Sequence, residues 1–165
     1  PPYYEMVCGL VPGLQAAALG AAQPNDFAAW QPDIVLVHLG YNDGFALDEP
    51  PFQDGFCLRR GPDGLPDTET AERFVQCGVA FLKKLRRCNP GARLVWAYGM
   101  FGQVMQPYIM EAIRRYTGES GDTVQYVPLP PTPSEQIGAN NHPSGAAHTV
   151  VAKILSDALR PLLPQ

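Results

Sequence analysis

The sequence predicts an α/β fold, a three-layer α/β/α sandwich with a parallel sheet, and three observations carry that prediction. The first is an unbroken apolar run, Ile34-Val35-Leu36-Val37-His38-Leu39, bounded by Pro32 and Gly40. A strand covered on both faces reads this way, without polar alternation. The second is a pair of further strand-like stretches, 93–99 and 123–127. The third is the helix-period segments that separate them, which is the order of βαβ units.

Residues 1–32 are rich in Pro, Gly and Ala and weakly periodic, with a short helix predicted at 13–18. The first strand covers 33–39. Residues 44–66 form a long loop rich in Gly, Pro and Asp, of a kind that often lines a site. Asp67 suits the N-cap of a helix running to about Arg87 and ended by Asn89-Pro90-Gly91. Its stripe is Phe74, Val75, Gly78, Val79, Phe81, Leu82 and Leu85, and Lys83, Lys84, Arg86 and Arg87 sit where the helix dipole favours cations. After the second strand, Pro107 fits the first turn of a helix carrying Ile109, Met110, Ile113 and Tyr116. The third strand leads into a proline-rich loop. A last helix, 144–160, turns Ala147, Val151, Ile154, Leu155, Ala158 and Leu159 inward. There is no internal repeat, and 165 residues predict one domain over 1–165.

Composition removes several function classes. The net charge is −4 and no basic run exists, so nucleic acid and anionic membrane surfaces are not expected partners. The longest apolar run is strand-sized, far below the roughly 20 residues of a membrane span. The four cysteines, Cys8, Cys57, Cys77 and Cys88, contain no C-x-x-C pair, so a zinc ribbon or dithiol redox site has no support. Cys77 and Cys88 share a helix face but stand about 16 Å apart along its axis, too far to bridge. A Cys8–Cys57 disulfide stays open. The chain starts Pro1-Pro2-Tyr3-Tyr4 with no Met and no signal-type segment, so we expect either a removed leader or a start inside a longer protein.

In open α/β sheets, ligands bind beyond the carboxyl ends of the strands. The first strand ends in Gly40-Tyr41-Asn42-Asp43-Gly44, which projects Asn42 and Asp43 there. An amide so placed can donate to a developing oxyanion, although Asn-Asp-Gly is also ordinary turn chemistry. The second feature is Asn140-Asn141-His142-Pro143-Ser144 followed by His148. Pro143 biases His142 to an extended conformation at a loop–helix junction, where an imidazole can serve as general base or simply stand in solvent. His148, six residues on, has poor metal spacing and reads as a packing or capping residue. His38, within the apolar run, reads as a core histidine.

Together these features resemble the SGNH (GDSL-type) hydrolases, and most closely carbohydrate esterase family 2. Trp30-Gln31-Pro32-Asp33-Ile34-Val35-Leu36-Val37-His38-Leu39-Gly40-Tyr41-Asn42-Asp43 is similar to that family's W-x-P-D-hydrophobic-L-G-x-N-D stretch. His142-Pro143-Ser144-Gly145-Ala146-Ala147-His148 is similar to its H-P-S-x-x-x-H ending. The resemblance implies a flavodoxin-like sandwich and a serine esterase that removes O-acetyl groups from xylan-type carbohydrate. It implies His142 as general base and acid and Asn42 as oxyanion donor, with Gly40, Asp43 and Asn141 supporting. It also implies secretion, and no metal or organic cofactor. Tyr41, Phe45, Phe52 and Phe56 are candidates for a rim on which a sugar face stacks, or for simple loop packing.

The departures matter as much. The family's nucleophilic serine stands in an N-terminal Gly-Asp-Ser block, and this chain has none. Its serines are Ser120, Ser134, Ser144 and Ser156, and Ser144 fits the N-cap of the last helix. We therefore expect the nucleophile upstream of Pro1, in a segment of roughly 60–100 residues on the superfamily's usual size, and the chain by itself inactive. Without such a segment, 34–37 would form a bare apolar edge. The Asp that many SGNH enzymes place three residues before the histidine is Ala139 here. Members of the family can use a Ser–His dyad with a backbone carbonyl instead, and that role falls to the carbonyl of Asn141. The rival expectations are a non-catalytic carbohydrate-binding domain of the same fold and a lipase or thioesterase. The acidic loop residues Asp48, Glu49, Asp54, Asp63 and Asp67 disfavour the latter.

Overall fold

The computed structural model describes residues 26–50 and 55–164. The predicted helix at 13–18, Cys8 and Phe52 lie outside them. The chain divides into two units, Pro1–Trp30 and Gln31–Gln165. Of the first, residues 26–30 form a turn in which Asp26 accepts the N–H of Ala28 on its side chain, at 3.0 Å, and of Ala29 on its carbonyl.

The second unit holds a three-stranded parallel sheet in the order β1-β2-β3, with β1 at Ile34–Val37, β2 at Arg93–Tyr98 and β3 at Val124–Pro128. The helices are α1 (Tyr41–Phe45), α2 (Thr68–Cys88), α3 (Gln106–Ser120) and α4 (Gly145–Leu159). Each strand and each long helix of the sequence reading is present, within a few residues. β1 is shorter than expected because its last turns are taken over by the site. Leu36 is 39% exposed, so among the described residues this strand is not covered on both faces.

Alternation along β2 builds two cores. Leu94, Trp96 and Tyr98 point to one face, into a cluster with Val75, Val79 and Leu82 of α2 and Ile109, Ala112 and Tyr116 of α3. Val95 and Ala97 point to the other, where they meet Val127, Leu129 and Ala147 and Val151 of α4. This is the three-layer arrangement. The middle strand of this sandwich, β2, has no solvent face, hence its unbroken buried stretch Leu94-Val95-Trp96-Ala97-Tyr98.

The helix ends follow the sequence. Asp67 caps α2 by accepting the N–H of Thr70 at 2.8 Å. Pro107 sits in the first turn of α3, and Gly121 closes that helix in a left-handed conformation. Ser144 occupies the N-cap position of α4, but its side chain makes no capping bond. Cys57, Cys77 and Cys88 are free thiols.

An ionic clasp ties α3 to α2: Arg115 bridges to Glu72 of α2 at 2.7 Å and pairs along its own helix with Glu111 at 2.8 Å. The Arg115 guanidinium, with Gln76 assisting, holds Glu72 down at about 2, and Arg114 and Arg115 hold Glu111 down at about 2. The sign follows: carboxyls depressed in the folded state add stability above their unfolded range, near 4.5, which is lost as pH falls toward 2. In acid titrations of thermal unfolding, R115A is therefore expected to lose less stability between pH 5 and 2 than the parent chain. Parallel curves would refute the assignment.

Candidate active site

The site is built where β1 and β2 end. Past Val37, the chain turns at Gly40, whose φ of 118° caps the first turn of α1. A Cβ there would press on Ile109 at 3.1 Å and on the Tyr98 ring at 3.3 Å, so only glycine lets the turn approach this closely. Trp96 anchors the same segment by donating its Nε1–H to the Leu39 carbonyl at 3.1 Å. Asn42 therefore opens a short helix on a rigid support, with its side chain exposed. Asp43 beside it is half-buried, and burial pushes its carboxyl above the usual range.

Tyr41 is the pivot of this corner. Its ring stacks on Tyr98, with centroids 4.5 Å apart, and meets the Phe101 ring edge-on at 5.2 Å. Its hydroxyl accepts the Gly99 N–H at 2.5 Å and lies 3.3 Å from His38 Nε2. Burial raises the phenol, the N–H groups of Gly99, Met100 and Phe101 opposing. Burial and the nearby His148 lower His38, which favours the neutral imidazole that can accept the Tyr41 proton. His38 is thus not a core histidine. It stands past the end of β1 and is exposed, because the strand ends at Val37. His148 is exposed on α4, close enough to influence His38, and neither packs in the core nor caps the helix.

His142 reaches the same end of the sheet from the loop after β3. Its backbone is extended, at φ −87° and ψ 156°, as the following proline requires. The loop is closed around it: Gly138 N–H donates to the His142 carbonyl at 2.6 Å, and His142 N–H donates to the Ala139 carbonyl at 3.0 Å. Asn140 and Asn141 both take left-handed conformations, φ 51° and 59°, which Asn tolerates better than most residues. That turn brings the Asn140 carbonyl to 2.8 Å from His142 Nδ1. The carbonyl expected from the sequence was that of Asn141. It is Asn140 because two successive left-handed residues swing the earlier carbonyl back under the ring. A carbonyl can only accept, so Nδ1 is the donor, and in the neutral ring the lone pair is then on Nε2.

Phe101 joins the two halves. It lies edge-on to Tyr41 and edge-on to His142, the latter at 5.4 Å. The sequence reading missed it. The signal was Tyr98-Gly99-Met100-Phe101-Gly102, a glycine-bracketed turn at the carboxyl end of the central strand. Phe45 is 67% exposed, whereas Phe56 lies under the Arg73 guanidinium at 4.8 Å. Two of the acidic loop residues are spent locally: Asp48 accepts the Arg60 N–H and pairs with its guanidinium, and Asp63 accepts the Leu65 N–H.

No serine of the chain combines with this imidazole in a bond the described residues make. Ser120 donates to the Tyr116 carbonyl and Ser134 to Glu135, while Ser156 lies exposed on α4. Two open concavities, of about 660 and 520 Å³, lie at the opposite end of the sheet, around Arg93 and Val124 and around Asp33 and Leu163. The first is bordered by Arg86, whose guanidinium is saturated by Asp122 and by the carbonyls of Asn89, Pro90 and Ala92. Among the described residues no three His, Cys, Asp or Glu side chains gather as a metal site, and no helix is long and apolar enough to cross a membrane.

Comparison with solved structures gives this geometry a context. The chain is 38% identical to an acetyl xylan esterase, Est2A, from the rumen bacterium Butyrivibrio proteoclasticus, with a TM-score of 0.82. The match covers 94% of this chain and 43% of that one. A family-two carbohydrate esterase from Clostridium thermocellum, solved with cellohexaose, is 22% identical over 87% of this chain and 40% of its own, with a TM-score of 0.65. One from Cellvibrio japonicus is 20% identical over 87% of this chain and 37% of its own, with a TM-score of 0.61. At those identities the latter two show the fold alone. The chain thus spans about two-fifths of the length of each of these proteins. No protein-family model and no curated protein matches it. The chain has the SGNH-type α/β fold, and the resemblance it carries is to carbohydrate esterase family 2.

Proposed function

We propose that this protein is a serine esterase that removes O-acetyl groups from carbohydrate, with His142 as its general base and acid and Asn42 as an oxyanion donor. The observation that carries the reading is the Nδ1 contact of His142 with the Asn140 carbonyl at 2.8 Å. It leaves Nε2 as a base without any carboxylate, which is what a Ser–His dyad needs. The acetyl xylan esterase activity of a 38% identical relative supports the same chemistry.

The steps are two acyl transfers. His142 Nε2 takes the proton of a serine hydroxyl as its oxygen bonds to the acetyl carbonyl carbon. The carbonyl oxygen becomes an anion, stabilised by the Asn42 amide. The intermediate collapses with loss of the sugar oxygen, which leaves with the proton from His142. Water then attacks the acetyl-serine, His142 taking its proton, and acetate departs. The serine is none of the four in this chain. The proposal assigns it to the part of the protein that corresponds to the remaining length of Est2A. A polymeric glycan as substrate further implies action outside the cell.

Acetate release from acetylated xylo-oligosaccharides, measured on the protein as its gene encodes it, tests the reading. Asn42→Ala is expected to lower kcat on the order of 10²-fold with little change in KM. Unchanged kcat in that variant would overturn the role of Asn42. An unmodified protein that binds the oligosaccharide and releases no acetate would instead establish a non-catalytic binding domain.

A further inference from the structure

We propose that Tyr41 is a positioning residue for His142, acting through the ring of Phe101; the inference rests on the esterase reading given above. The tyrosine was a candidate either for a sugar-stacking rim or for simple packing, and its surroundings favour the second. One face of its ring is taken by Tyr98 and it packs against Phe101, while its hydroxyl is engaged by Gly99 N–H and His38. Little of it is left to meet a ligand. What those contacts do is fix a ring in both position and tilt.

Among the neighbours of the ring so fixed, Phe101 is held by no helix or strand. Phe101 lies in the turn 99–102, closed by the Gly102 N–H on the Gly99 carbonyl at 3.0 Å, and is 37% exposed. Tyr41 gives it a wall. Phe101 in turn meets the His142 ring at 83° and 5.4 Å, an edge-on contact. His142 is otherwise exposed and, among the described residues, held by a single ring hydrogen bond, to Asn140. One hydrogen bond leaves an imidazole able to swing about that bond, and a perpendicular aromatic neighbour removes this freedom. Tyr41 also adjoins Asn42, so the same pinned residue bears on the base and on the oxyanion donor. The stack on Tyr98 anchors this device, and the hydroxyl bonds with Gly99 and His38 add to it.

Three variants and two readouts test this. ¹⁵N NMR of the His142 imidazole reports the tautomer, with a protonated Nδ1 and a bare Nε2 giving well separated signals in the unmodified protein. In Tyr41→Leu and Phe101→Ala the two signals are expected to move toward each other as the tautomers mix. In acetate release, both variants are expected to lose kcat on the order of tenfold with KM unchanged. Tyr41→Phe keeps the ring and is expected to stay within about threefold of the parent. If Tyr41→Leu fails to fold, Phe101→Ala decides, because that side chain is partly in solvent. Imidazole signals unmoved in folded Phe101→Ala, with the parental kcat, overturn the positioning role and leave the esterase reading standing. Signals that merge in the variants while no form releases acetate keep the positioning role and remove the esterase reading.

Discussion

Alanine at His142 is expected to lower acetyl-ester hydrolysis by at least about 10³-fold while leaving the fold intact. The side chain is exposed and its one ring hydrogen bond goes to a backbone carbonyl of its own loop, so its removal leaves no buried group unpaired. The loop geometry is fixed without it, by the Gly138–His142 and Ala139–His142 backbone bonds and by Ser144 N–H on the Gln136 carbonyl at 2.8 Å. What is lost is the proton acceptor. A serine hydroxyl that must shed its proton to water is a poor nucleophile at neutral pH, and the alkoxide of the sugar departs without a proton. The loss should therefore fall on kcat. Acetate release with an acetylated oligosaccharide gives the rate, and thermal unfolding gives the control. A variant that folds normally and retains a tenth or more of the activity would remove His142 from the chemistry and, with it, the reading built on its tautomer.

How far this site could be seen in the sequence depends on which interactions are local. The backbone settings of Asn42 and His142 were legible because nearby residues fix them: a glycine two residues before Asn42 and a proline directly after His142. The helix starts were legible for the same reason, Asp67 being a cap that reaches only three residues ahead. His38 was misread because an apolar run does not mark where a strand stops. The stop is set by Trp96 seizing the Leu39 carbonyl, a contact across 57 residues. The choice between the carbonyls of Asn140 and Asn141 turned on two successive left-handed residues, which Asn permits and does not dictate. Phe101 and the pinning of Tyr41 were out of reach, since both depend on β1, β2 and the 137–143 loop converging at one end of the sheet. Charge counting in the 44–66 loop misled more subtly. Asp48 and Asp63 are consumed by the loop's own backbone, so their number says little about what the loop presents to a ligand.

Gly99 carries the largest expected effect on stability. It leaves β2 with a φ of 148°, a conformation L side chains rarely adopt, and a Cβ placed there would run into the Leu129 carbonyl. Neither party can give way. Leu129 is 1% exposed and its N–H is held by the Tyr98 carbonyl at 2.8 Å, one residue from Gly99 itself. Moving it would drag the end of β3 off β2 and unsettle the Val127 and Val151 packing beneath. Backbone strain of about 1–3 kcal/mol and overpacking of about 1–3 kcal/mol both apply, so Gly99→Ala is expected to lose about 3–5 kcal/mol. That is a large share of the stability of a domain this size. The shift in the urea midpoint at constant slope measures it, and a midpoint within the error of the parent would sink the claim. The same displacement shifts the turn 99–102 that carries Phe101, so any fraction of the variant that folds should also show the merged His142 imidazole signals expected of Tyr41→Leu and Phe101→Ala. The exit of β2 and the setting of His142 would then be seen to depend on one turn.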